Sequence, residues 1–419
     1  MPALIPVVFL LSIGWVARFQ FAACTEGPSC SINVNRDLPS QNQPIMLKKM
    51  GKDYTLLIPS VKRRQGIIEL NKGEELVLAC PGKNNYLKEV KKEAVQTNCV
   101  SDTKLSANGS NAVFDTKSAG CAQPVQAVVK NSTERCAQVG KIYQIGFEAQ
   151  GWHPMVTVCH DPSSANTLFT KHTLIGAAIQ GAERESHRPR FSDGQLDELY
   201  YGFNPDYYYK KKTQGNLFKN VVGNVKKSEY YEENGDKFLS RGHLAPDGDF
   251  VFGSWQFATY FYINAAPQWQ VVNGKNWLTV EKLVRKLGIK MADDLIVVTG
   301  TYGIMELEDE RKAARKLYLN YQKNVLPVPQ CFWKAVYHPK SKQGISIITS
   351  NNPYLPKNSK LPFCKDICFD KGWANANITA EFRIAEKGLT ICCTYAELRK
   401  AVPHAPFLDV QETLRGPHF

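Results

Sequence analysis

The spacing of apolar residues changes character about a third of the way along this 419-residue chain. Up to about residue 140 the apolar positions come in short bursts. Tyr54-Thr55-Leu56-Leu57-Ile58-Pro59 and Glu75-Leu76-Val77-Leu78-Ala79-Cys80 are two of them, and the joints between bursts are rich in Gly, Asn, Ser and Lys. Apolar runs of that length, bounded by turn formers, predict short strands and hence a mostly β module. Beyond residue 141 the elements lengthen. Leu295-Ile296-Val297-Val298 follows the acidic pair Asp293-Asp294 and closes at Thr299-Gly300. Side chains on both faces of such a strand are apolar, which predicts a strand buried on both sides. Gly344-Ile345-Ser346-Ile347-Ile348-Thr349 partly alternates and predicts another strand. Trp277, Val280, Val284 and Leu287 recur at i, i+3, i+7 and i+10, one apolar face of a helix. That helix would begin just after Asn273, with the asparagine at or before its N-terminus. The fold class expected is α+β: a small mostly β module, then a central antiparallel sheet with helices packed against it.

The first residues change the picture of the compartment. Leu4 to Ala17 is an uncharged apolar run, too short for a bilayer, which takes about 20 residues, but suited to a signal-peptide core cut between Ala23 and Cys24. A retained anchor is the alternative, although Arg18 breaks the stretch early. Twelve cysteines are scattered through the chain, as expected of disulfides in an oxidising compartment. Cys364 and Cys368 are expected to pair. Cys392 and Cys393 are adjacent and should bond elsewhere, since neighbours bridge only under strain. Zinc held by these four is the alternative, but adjacent cysteines chelate a tetrahedral ion poorly. Asn108, Asn131 and Asn377 each open an Asn-x-Ser/Thr tripeptide compatible with glycosylation. Taken together, the expected layout is a leader over 1–23, a disulfide-linked β module over 24–140, a second domain over 141–419, and secretion.

Charge narrows the partner. Lys plus Arg is 52 and Asp plus Glu is 39, a formal net charge of +13, of the sign that concentrates a polyanion. Solubility alone would explain the same excess. Candidate chemistry lies in Ser240-Arg241-Gly242-His243-Leu244-Ala245-Pro246, followed by Tyr262-Ile263-Asn264-Ala265-Ala266-Pro267-Gln268 and then Asn273-Gly274-Lys275-Asn276-Trp277. Histidine can take a proton from water near neutral pH. Arginine can clamp a phosphate oxygen, and a neutral asparagine oxygen can hold a hard cation that keeps most of its waters. That combination suits metal-assisted cleavage of a phosphodiester. Each residue also has a plainer reading: His243 as a structural histidine on a backbone carbonyl, Asn273 as a helix cap, Trp277 as core. The run Tyr207-Tyr208-Tyr209-Lys210-Lys211-Lys212 can track a phosphate backbone or form a solvated loop. Neither a GxSxG nor an HExxH motif occurs.

The series SRGHLAP, YINAAPQ and NGKNW followed by Glu281 resembles the DNA/RNA non-specific endonucleases of the ββα-metal type, whose signature reads DRGH, N.APQ, N, W and E in that order. Within that family the secreted arthropod nucleases, which read SRGH or TRGH and carry an extra N-terminal region, are most similar. The resemblance implies a ββα element forming the cleft and His243 as general base. It implies one Mg²⁺, with Mn²⁺ as a substitute, held through Asn273, and Glu281 holding a metal-bound water. Asn264 and Gln268 would order the site or touch substrate. Arg241 would bind phosphate, joined by a second arginine from upstream, for which Arg188 is the choice. A surface Glu281 paired with Arg285 at i+4 is the plainer alternative. Ser240 departs from the usual aspartate and makes the site less negative. The substrate implied is DNA, with RNA as an extension. The rival is a nuclease-like protein that binds nucleic acid and hydrolyses it poorly.

Overall fold

The structure, a computed structural model, describes residues 27–183, 188–200 and 202–418. The expected leader, its cut site and Cys24 lie outside the described residues. Strands Asp53–Leu56, Ile45–Met50, Glu75–Ala79, Ala94–Ser101, Lys104–Ala107 and Val113–Asp115 form a six-stranded sheet in that order. Cys30–Asn33, Gln65–Leu70 and Ser60–Lys62 form a three-stranded sheet beside it. Disulfides Cys30–Cys99 and Cys80–Cys121 staple this region, as its short strands require.

The rest is organised by a nine-stranded sheet. Its main path runs Val128–Cys136, Gly140–Glu148, Trp152–Asp161, Asn166–Leu174, Leu295–Tyr302, Cys331–His338, Gln343–Ser350 and Thr390–Cys393, every neighbour antiparallel. Glu412–Thr413 adds a short parallel edge beside Gln343–Ser350. The alternation of side chains along a strand explains why Leu295–Tyr302 reads as unbroken apolar sequence. Leu295 and Val297 face a core that includes Val280, Leu283, Val284 and Leu287 of the helix Leu278–Met291. Val298 faces a second core with Trp333, Ile348, Leu398 and Val402. Burying the four helix residues contributes about 1.5–3 kcal/mol each, and this clamps the helix onto the sheet.

Two expectations are corrected. Cys364 pairs with Cys393 and Cys368 with Cys392, rather than with one another. Cys392 and Cys393 are consecutive on a strand and point to opposite faces, so each takes its own partner from the crossing loop. Both cysteines near Asp366 are therefore oxidised, which removes the thiolates that a zinc site would need. Asn273, second, does not open its helix. Gln270–Val272 is already helical, and Asn273–Trp277 forms a π-helical turn that runs into Leu278–Met291. Among the described residues no helix is long and apolar enough to cross a membrane. Asn108, Asn131 and Asn377 are all exposed.

Candidate active site

Leu239–His243 pairs antiparallel with Ala265–Trp269, and the helical run from Gln270 follows at once. This is a ββα unit built from all three sequence motifs. Its register sets Gln268 opposite Ser240 and Ala266 opposite Gly242. The Gln268 side chain lies across Gly242, where a Cβ would stand 2.3 Å from Gln268 Oε1. Glycine is thus required by a crossing side chain, not by a turn. Neither Oε1 nor Nε2 of Gln268 has a hydrogen-bond partner among the described residues, although both are buried. Buried polar atoms are seldom left unpaired, and this carboxamide is packed inside the protein across the Gly242 backbone.

Ser240 links the strand pair to the helix. Its hydroxyl donates to the Gln268 carbonyl at 3.0 Å and accepts from Asn273 Nδ2 at 3.2 Å. With its NH₂ so engaged, the Asn273 carboxamide has a fixed orientation, and Oδ1 accepts no hydrogen bond among the described residues. A hard oxygen donor with one orientation fits a magnesium-type ion that retains most of its water. The serine that departs from the usual aspartate therefore has a definite partner.

His243 ends its strand between the rings of Phe191 and Tyr260, each centroid 5.0 Å away. Its Nε2 is buried without a hydrogen-bond partner. Burial pushes the imidazole down to about 4; the Asp247 carboxylate opposes this and Arg188 adds to it. The ring is therefore neutral at physiological pH, the form that accepts a proton. Arg188 lies largely in solvent, its Nε 3.7 Å from Asp247 Oδ2, and Tyr260 donates to the same oxygen at 2.6 Å.

Arg241 is held in an aromatic cage. Its guanidinium is 5.0 Å from the Tyr209 ring, 5.6 Å from Tyr262 and 5.7 Å from Phe191. Nη2 bonds Asp206 Oδ1 at 2.6 Å and Nε donates to the Tyr262 hydroxyl at 3.2 Å. The group lines a cleft with Arg190 and Asn204, so a phosphate entering there competes with Asp206. Asn264 is wholly buried and structural in its contacts. It exchanges hydrogen bonds with Ala245 N–H and C=O and donates to the Thr259 carbonyl, all at 2.9 Å. These bonds fix the backbone just after His243.

Glu281 is half-buried and pushed up to about 7, by burial first; Lys334 and Arg285 oppose the rise, while Asp249 and Asp247 add to it. Arg285 is not its ion-pair partner. It bonds Asp249 Oδ1 at 2.8 Å, and His172 Nε2 holds Oδ2 at 3.0 Å. Despite its burial, Asp249 is held at about 2 by His172, Arg285 and Lys334. Lys334, fully buried, donates to the Leu244 carbonyl at 3.4 Å and lies 5.1 Å over the Trp277 ring. Trp277 is core, as expected.

Asp206, Asp247, Asp249, His172 and Lys334 were not singled out from sequence, and Tyr209 and Tyr262 stood in recognised runs without a role of their own. The one signal was Asn204-Pro205, where Asn204 Oδ1 accepts from Asp206 N–H at 2.9 Å and caps the helix Pro205–Tyr209. The aromatic-basic run is not one phosphate track. Tyr209 is buried against Tyr262, whereas Lys211 donates to the carbonyls of Glu233 and Gly235.

A sequence profile of the DNA/RNA non-specific endonucleases matches residues 138–398. The chain belongs to that family. Its match to the DNA/RNA non-specific endonucleases makes it a nuclease-class enzyme with a nucleic-acid substrate and takes in every motif residue above. The chain is 33% identical over 374 residues to a salivary endonuclease of Lutzomyia longipalpis, an alignment covering 89% of this chain and 83% of that protein. It is 28% identical over 400 residues to the salivary protein Tsal2A of Glossina morsitans morsitans, covering 92% and 94%. Among solved structures, a chain from the EndoG/EndoGI complex aligns with 61% of this chain and 84% of its own length, at 14% identity and a TM-score of 0.35.

Proposed function

We propose that this protein is a secreted, Mg²⁺-dependent endonuclease that cuts DNA, and RNA as well, with little sequence preference, leaving 5′-phosphate and 3′-hydroxyl ends. The observation that carries the reading is the Ser240–Asn273 hydrogen bond, which turns a lone amide oxygen outward beside a strand that ends in a neutral histidine. His243 takes the proton from water as its oxygen attacks phosphorus. Asn273 Oδ1 is the protein ligand of the ion, with Mn²⁺ able to replace Mg²⁺. When bound, the ion neutralises charge on the phosphoryl group and stabilises the departing 3′ oxygen. Glu281 would help to hold the hydrated ion when it is bound. Arg241 and Arg188 hold phosphate oxygens, the first by leaving Asp206. Gln268 orders the strand pair beneath Gly242, and Asn264 keeps the His243 segment in place. The two relatives described as salivary support export, in keeping with the apolar run Leu4 to Ala17.

Incubation of the purified protein with plasmid, linear duplex, single-stranded DNA and RNA, followed by end labelling, tests this reading. Fragments that accept label at the 5′ end only after phosphatase treatment are expected. Ends carrying a 3′-phosphate would contradict it.

Two further outcomes follow from the geometry. Non-specific recognition rests on phosphate contacts, so Arg241→Ala should weaken binding equally across unrelated sequences and flatten the salt slope by about one unit. An unchanged slope and rate would show that Arg241 stays with Asp206 when substrate binds. The second concerns pH. The competent His243 is neutral, and burial pushes it down to about 4 from the ordinary 6.5, so the histidine itself is lost only as pH falls through the lower value, whereas Glu281, pushed up to about 7, titrates higher. In a Glu281→Gln background, which removes that carboxylate, the acid limb of kcat/KM, which reports the free enzyme, should therefore lie below pH 6. A limb centred at about 6.5, the ordinary histidine value, would mean that the imidazole is solvated.

A further inference from the structure

A second basic surface faces the site from the N-terminal region. A cleft of about 610 Å³ is lined by Arg188 and Asp247, by Lys282, Arg285 and Lys286 of the helix Leu278–Met291, and by Arg64 of the N-terminal region. Arg188 is near Asp247, and Arg285 is paired with Asp249. Arg64, Lys282 and Lys286 form no ion pair among the described residues, and all three are exposed. Glu183 and Asp247 also line the cleft, so among the described residues its lining holds five basic groups, Arg64, Arg188, Lys282, Arg285 and Lys286, against two carboxylates, beside the two residues that set the charge around His243.

Arg64 is presented by a tight hairpin. Ser60–Lys62 and Gln65–Leu70 pair with Lys62 opposite Gln65, leaving Arg63 and Arg64 as a two-residue loop. Both have positive φ, 49° and 64°. Asn-Gly is the favoured pair for such a loop, whereas a residue with a full side chain costs roughly 1–2 kcal/mol in the left-handed region. Two arginines are thus poor choices for making this turn, although other non-glycine residues of the chain also take positive φ. The hairpin is also fixed in place. Gly66 packs so closely on Gly181 that a Cβ would stand 2.7 Å from the Gly181 carbonyl oxygen. Val34 N–H bonds the Gly66 carbonyl at 2.9 Å and Asn35 Nδ2 reaches the Gly181 carbonyl at 3.4 Å. Gln43 Nε2 donates to Glu183 Oε2 at 2.8 Å.

We propose that the Arg63-Arg64 hairpin is a phosphate-binding wall of the substrate track, holding the nucleic-acid backbone beyond the scissile phosphate against Lys282 and Lys286. The N-terminal region is then part of the nuclease's substrate grip. This rests on the nuclease reading, but it concerns binding alone. Its ligand is the sugar-phosphate backbone, so the contacts carry no base preference.

The test replaces the loop with the pair the turn favours, Arg63→Asn with Arg64→Gly. The melting temperature of the full chain should stay the same or rise, which separates binding from folding. With His243→Ala as background to prevent cleavage, binding of a 30-base-pair duplex in Mg²⁺ is measured as a function of salt. Loss of one to two phosphate contacts should weaken it on the order of 5- to 30-fold at 0.15 M salt and flatten the salt slope by about one to two units. With His243 intact, the same exchange should raise KM for long DNA and leave kcat unchanged, as for an interaction made equally in ground and transition states. Unchanged affinity and slope would overturn the proposal. So would a fall in kcat at unchanged KM, which would make the hairpin a support for the catalytic centre. Because affinity is read in an inactive background, failure of the nuclease reading would appear separately, as absence of cleavage by the otherwise unmodified chain.

Discussion

Replacing His243 by alanine is expected to lower turnover on duplex DNA about 10²–10⁴-fold, the usual contribution of a positioned proton acceptor, with affinity for DNA close to that of the unmodified protein. The size of the effect follows from how the imidazole is kept. Phe191 and Tyr260 flank it at 5.0 Å each, and burial holds it neutral. Asn264 fixes the next two residues through Ala245 and, by its own carbonyl, the Leu244 N–H. Alanine would leave that backbone unchanged, because none of these bonds uses the histidine side chain. Single-turnover rates at saturating enzyme, with binding measured in parallel, check the prediction. A rate within a few-fold of the unmodified protein would remove His243 from the chemistry.

Chelation is expected to abolish cleavage altogether, and Mg²⁺ to restore it. Asn273→Ala should then require far more Mg²⁺ for half-maximal rate, because an ion held through so few protein oxygens loses most of its affinity with one. Ser240→Ala makes the comparison informative. It leaves the Asn273 oxygen in place and removes only the hydroxyl that receives Nδ2. Loss of such an orienting partner costs about 10–100-fold in metal affinity, so Ser240→Ala should fall between the unmodified protein and Asn273→Ala. Mg²⁺ titrations of initial rate for the three proteins give the order directly. Full activity in excess EDTA, or Ser240→Ala identical to the unmodified protein, would contradict this assignment.

The parts of this architecture that were legible in the sequence are those fixed by local periodicity. The apolar face of Trp277, Val280, Val284 and Leu287 predicts the helix, and Leu295 to Val298 predicts a strand covered on both sides; both are observed. The start of the helix was misplaced because Asn273 is a favoured cap residue, whereas here a π-helical turn continues the helix through it. Tertiary contacts left no such trace. Asp206 and Arg241 lie 35 residues apart, as given by their ion pair, and no spacing rule connects them. Lys334 arrives from a strand 90 residues beyond Leu244. The cysteine pairing depended on which face of a strand each of two adjacent residues takes, and spacing along the loop does not carry that information. Arg63-Arg64 carried no signal in the sequence, because neither its φ angles nor the cleft that Arg64 shares with Lys282 and Lys286 follows from local periodicity.

The central claim is that His243 and Asn273 act together on one phosphodiester. A double-mutant cycle on single-turnover cleavage of duplex DNA, using His243→Ala, Asn273→Ala and the double variant at saturating Mg²⁺, tests it most directly. Groups that act as a unit are strongly non-additive, so the double variant should be no slower than about the worse of the two single variants. Losses that multiply, as they do for independent and distant sites, would contradict the account.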